Sequence, residues 1–73
     1  MEHEMSLQSQ KAAILAHLKT GRSITPIDAL REYGCFRLGA RIYDLKDEGH
    51  NIYSERVEVG DGKRVASYTL VKQ

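Results

Sequence analysis

The one thiol of this 73-residue chain is Cys35, and the imidazoles that could serve it as a base are His17 and His50, with His3 near the start. A nucleophile needs a general base within reach. A single cysteine just ahead of a helical run reads instead as a small buried apolar residue. The three histidines are spaced too widely to form a zinc-ligand set with Cys35. No phosphate-cradling glycine loop or paired-carboxylate pattern is present. These observations point away from an enzyme, and no metal, cofactor or small-molecule substrate is expected. The basic side chains offer different chemistry. Arg37 and Arg41 stand four apart, Lys63 and Arg64 adjoin an Asp-Gly pair, and Arg22 precedes a Thr-Pro. A guanidinium can take a guanine edge bidentately, and a lysine or arginine on a loop can take a phosphate.

Charge supports a polyanionic partner only mildly. The whole chain carries a formal +1, but residues 19–46 hold six bases against three acids, so the excess lies mid-chain. The 41% hydrophobic and 29% charged content is that of a globular domain. No apolar run approaches a membrane span, and the first ten residues are too polar for a signal peptide, so a cytoplasmic protein is expected.

The elements that must position these side chains follow from periodicity. Residues 1–7 show none and read as a flexible leader, leaving 8–73 as the domain. Ile14, Leu15 and Leu18 share one face of a helix over Gln8 to Lys19, which Gly21 ends. After a short extended link at Arg22 to Ile24, Thr25 can cap a second helix with Pro26 at its first position, running to Tyr33 and stopped by Gly34. Ile27 and Leu30, with Ala29, are expected to be its buried side. Leu38, Ile42 and Leu45 define a third helix over 37–48, closed by Gly49. Beyond it the period becomes 2, and two extended runs, from Ile52 and from Arg64 to Val71, flank Gly60-Asp61-Gly62-Lys63. Asp-Gly between alternating segments is a strong hairpin signal.

Helix, short strand, helix, turn, helix, hairpin is the order of an α+β winged helix-turn-helix. On a wheel drawn from Leu38, Arg37, Arg41, Asp44 and Glu48 flank the buried stripe, and Phe36, Ala40, Tyr43 and Asp47 point away from it. Arg37 and Arg41 are then the natural base readers, with Gly39 and Ala40 small enough to let the backbone approach a groove. Each arginine can also form an ion pair, Arg41 with Asp44 or Glu48 and Arg37 with Asp44. Phe36 and Tyr43 can be core residues, a dimer patch or thymine-methyl contacts. Lys63 and Arg64, on a wing over 59–65, and Arg22 are candidate phosphate contacts.

The run Ile14-Leu15-Ala16-His17-Leu18 through Gly21, Ile24-Thr25-Pro26 and Ala29-Leu30, followed by Arg37-Leu38-Gly39-Ala40-Arg41-Ile42-Tyr43-Asp44-Leu45-Lys46 with Gly49 and Ile52, resembles a family of small helix-turn-helix proteins of bacteriophages and prophages. The resemblance spans about 40 residues, and the hairpin continues it in the expected place. It implies DNA binding and a phage or prophage origin; a double-stranded-DNA-binding transcriptional regulator or recombination accessory factor of phage type is the expected function. It supplies no operator and no catalytic residue. A non-enzymatic module that binds a host or phage protein is the alternative, and one copy reading three or four base pairs discriminates too little to act alone, so a homodimer or a partner protein is expected.

Overall fold

A computed structural model describes residues 6–71. Three helices, α1 (Leu7–Lys19), α2 (Pro26–Tyr33) and α3 (Leu38–Asp47), precede two antiparallel strands, β1 (Ile52–Val59) and β2 (Lys63–Leu70). The first helix begins one residue earlier than its periodicity suggests, because Ser6 caps it: the Ser6 hydroxyl accepts from the Ser9 amide at 3.0 Å. Ser6 and Leu7, read from sequence as leader, thus belong to α1, whereas the rest of that leader, residues 1–5, lies outside the described residues.

The second helix has the expected bounds. Thr25 and Asp28 form a reciprocal capping box, with the Asp28 amide donating to the Thr25 hydroxyl at 3.3 Å and the Thr25 amide donating to the Asp28 carboxylate at 3.1 Å. It ends where Gly34 turns left-handed at φ 63° and the Cys35 amide reaches back to the Ala29 carbonyl at 3.1 Å. The turn into α3 is therefore short and fixed at both sides. The expected burial of Ile27 and Leu30 does not occur. They are 52% and 41% exposed, and Ala29 is the fully buried residue of α2. In an eight-residue helix the pairs 27/30 and 29/33 are equally helical in spacing. α2 docks by the second, where the small Ala29 allows close approach and half-buried Tyr33 closes the gap.

Arg37 and Glu48, predicted as the ends of α3, are its caps. Leu38, Ile42 and Leu45 are buried as the stripe requires, and they join Ile14, Leu18, Ile24, Ala29, Cys35 and Ile52 in one core. Burying a large aliphatic side chain stabilises by roughly 1.5–3 kcal/mol, so this cluster holds the domain together. The core alternative for Phe36 and Tyr43 is excluded, since they are 84% and 70% exposed.

The extended link yields a single bridge. Ile24 and Tyr68 exchange two backbone hydrogen bonds of 2.9 Å, adding a third, one-residue strand beyond β2. β1 and β2 pair in register from Ile52↔Leu70 to Val59↔Lys63, and β2 runs one residue earlier than read from sequence. The hairpin loop has three residues and not a two-residue Asp-Gly turn. Gly60 and Gly62 take the positive φ values, 48° and 84°, while Asp61 does not. Asp61 is thereby spared a conformation unfavourable to any side chain.

One buried polar cluster ties three segments together. His17 is 5% exposed, and its Nε2 lies 2.9 Å from the Ser23 carbonyl, which can only accept. Nε2 therefore donates to it, while Nδ1 lies 2.8 Å from the Tyr33 hydroxyl and 4.0 Å from a Glu32 carboxylate oxygen. α1, the link and α2 are thus fastened at one side chain.

Candidate nucleic-acid interface

The first turn of α3 is built differently from those of its neighbours. Ser6 caps α1 and Thr25 caps α2, but Arg37 stands at the cap position of α3 and makes no side-chain cap hydrogen bond there. Like that of α1, its first turn lacks an acidic residue. Its leading amides are left for another acceptor, and an arginine beside the positive end of the helix dipole is mildly unfavourable. Gly39 follows, exposed, in a helical position where alanine would be more stable. A Cβ added there would meet only the Tyr68 hydroxyl, at 3.9 Å. Packing gives no reason for a glycine at this position.

The predicted basic residues divide into separate environments. Arg37 is exposed at the start of α3. Arg41 is held by Asp44, with Nη2 and Nε at 3.0 and 3.1 Å from the same carboxylate oxygen, and its side chain is only 11% exposed. Of the two readings for Arg41, the structure shows the ion pair. Asp44 is thereby committed to Arg41 and not to Arg37, and Glu48 is committed to Lys11 of α1. Ala40 is half-buried. Lys63 and Arg64 are exposed at the start of β2, directly after the loop, opposite Val59 and Glu58. Arg22 is exposed in the link after α1.

Phe36 and Tyr43 extend the exposed side of α3 beyond its arginine. The wheel shows that they point outward; it does not show what they meet. The approach of Tyr68 to Gly39 had no signal in the sequence, because it joins β2 to the first turn of α3 across 29 residues.

Cys35 is 1% exposed in the core, and both ring nitrogens of His17 are occupied by Ser23 and Tyr33. Burial pushes the Tyr33 hydroxyl above its ordinary pKa of 10.0, Glu32 pushes it further, and Arg22 opposes them. Among the described residues no helix is long and apolar enough to cross a membrane.

A three-helix unit with an open first turn on its third helix, followed by a glycine-tipped hairpin, defines a winged helix-turn-helix protein. The chain belongs to the winged helix-turn-helix domain family, whose model matches residues 9–73. Membership indicates DNA binding in general, and domains of this family are typically non-enzymatic DNA-binding modules. No curated protein and no solved structure matches the chain.

Proposed function

We propose that the protein reads double-stranded DNA in the major groove with the N-terminal half of α3 and holds the phosphate backbone with its wing and link. The observation that carries this reading is the first turn of α3, which keeps Arg37 where a serine or aspartate would cap the helix and Gly39 where an alanine would stiffen it. Such departures from local stability are expected where a surface is kept for a ligand. Arg37 is the guanine-reading side chain. Ala40 and Gly39 admit the groove edge, and Tyr43 meets bases or methyl groups further along. Arg41, clamped by Asp44, positions the helix surface and contacts DNA only at its edge. Lys63, Arg64 and Arg22 hold phosphates.

The biological role that accompanies this chemistry is a cytoplasmic regulator of transcription, or a recombination accessory factor, of phage or prophage type. Its support is the sequence pattern shared with that family. A second reading, a protein-binding module, draws on the exposure of Phe36 and Tyr43. Titration of labelled random duplex at two salt concentrations separates the two: phosphate contacts release counterions, so affinity for DNA falls steeply with salt. Absence of duplex binding at low salt removes the DNA reading and leaves the aromatic surface as a protein contact.

A further inference from the structure

β1 is an edge strand, and the direction of its free hydrogen-bonding groups can be derived. Tyr68 turns its amide and carbonyl toward Ile24, hence away from β1, so its cross-strand partner Ser54 is in a non-hydrogen-bonded pair. The Val71 amide donates to the Asn51 carbonyl at 2.8 Å, which places the odd-numbered residues of β1 on the side facing β2. The even-numbered residues Ile52, Ser54, Arg56 and Glu58 therefore direct their backbone groups to the open edge. Among the described residues β1 pairs only with β2.

An open edge is a template for another strand, and proteins commonly block it with charge. The charges here instead complement a second copy of the same edge. Two β1 strands related by a two-fold axis normal to the sheet can pair only in registers that set residues of equal parity opposite each other. Centring the axis on Glu55, Arg56 or Glu58 puts like charges face to face, which is destabilising. Centring on Ser54 sets Arg56 against Ile52, whose side chain is buried in its own core. Centring on Val57 gives two hydrogen-bonded pairs, Arg56 with Glu58 of the second copy and the reciprocal. Val57 then faces its own copy in the non-hydrogen-bonded position, and Glu55 faces Val59. Arg56 and Glu58 are exposed, and among the described residues neither makes an ion pair.

We propose that two copies of this chain join edge to edge through Glu55 to Val59 of β1, forming a continuous four-stranded ribbon centred on Val57. The antiparallel arrangement sends the two helical bodies to opposite ends of the ribbon. The two Ile52 positions, where each strand enters its core, then lie about 33 Å apart at the usual strand rise. β2, with Lys63 and Arg64, stays on the outside of the ribbon. Five residues of strand make a small interface, so the free dimer is weak and is best captured covalently.

The V57C variant brings two thiols together in the closest cross-strand position, where oxidised glutathione converts them to one disulfide and is itself reduced to two thiols. Cys35 is buried and does not compete. In the absence of DNA, V57C shifts from monomer to covalent dimer, whereas V59C, whose thiols would be held apart in this register, stays monomeric. R56E or E58R in the V57C background loses the dimer, because each sets like charges opposite. Mixing the two restores it as a heterodimer, recognised by mass, in which both charge pairs are again opposite in sign. Equal crosslinking of V57C and V59C, or a mixture that crosslinks no better than its components, overturns the proposal. Because no DNA is present, either result leaves the reading of α3 as a DNA-contacting helix untouched.

Discussion

Replacing Arg37 should separate stability from recognition, because the proposed contact and the stability of the α3 terminus are in opposition at that residue. The side chain is exposed and caps nothing. Arg37→Ala therefore removes no packing and relieves a cation at the positive end of the α3 dipole, worth a few tenths of a kcal/mol. Arg37→Ser goes further and supplies a hydroxyl to a first turn that lacks a cap, a gain of about 1 kcal/mol over alanine. On the proposed reading the same changes remove one bidentate base contact, which costs about 1–3 kcal/mol of discrimination, or roughly 5- to 150-fold in affinity for the preferred duplex. Arg41→Ala should behave in the opposite way. Its guanidinium is bound to Asp44 and its stem is covered, so the fold loses about 1 kcal/mol through packing and the ion pair. Urea unfolding gives the stability term, and fluorescence anisotropy on a duplex selected from a random pool gives the affinity. A folded Arg37→Ser variant that binds this duplex as tightly as the unmodified protein refutes the assignment of α3 as the reading helix.

Alanine at both Lys63 and Arg64 should weaken all duplexes nearly equally and reduce the salt slope by up to about 2, measured by titration over several salt concentrations; a lost sequence preference with an unchanged slope would show that the wing reads bases. Tyr33 has a raised pKa in the folded state, so the unfolded chain ionises first: its contribution is present below pH 10.0 and is lost as pH rises through the folded value. Urea midpoints of the unmodified protein and of Tyr33→Phe, which lacks the bond to His17, should accordingly converge above that pH. Gly34→Ala has open space for its Cβ but a φ of 63°, so thermal unfolding should report a loss of about 1–2 kcal/mol from backbone strain alone.

The parts of this fold that one residue or one period determines were legible in the sequence. Thr25-Pro26 marks the start of α2, the 38/42/45 stripe marks the buried side of α3, and the change of period after Gly49 marks the wing. Orientation was less legible. Ile27 and Leu30 are more apolar than Ala29, yet α2 docks by Ala29 because close approach favours the small residue, and a spacing of three cannot be told from a spacing of four over two turns. The state of Arg41 was readable only as one of two options, since Asp44 lies within helical reach of it and the competing DNA contact leaves the same trace. Ser6 was hidden by its neighbours: a cap is a local signal, but no periodic apolar residue follows it until α1 is well under way.

The placement of Tyr68 explains how the proposed reading helix and the wing would act as one surface. Its backbone exchanges two hydrogen bonds with Ile24 in the link that leads into α2. Its ring packs against the core, and its hydroxyl lies beside Gly39 in the first turn of α3. One residue of β2 thus contacts the approach to α2 and the start of α3, while the strand that carries it begins at Lys63 and Arg64. A rotation of the wing relative to α3 would break the paired bonds to Ile24 and withdraw the hydroxyl from Gly39, so the groups proposed to hold phosphates and to read bases keep one geometry. Gly39 has one role in this arrangement. An alanine there would meet the Tyr68 hydroxyl only in ordinary contact and would gain helix stability, so on the proposed reading its absence is explained by the approach of a groove edge.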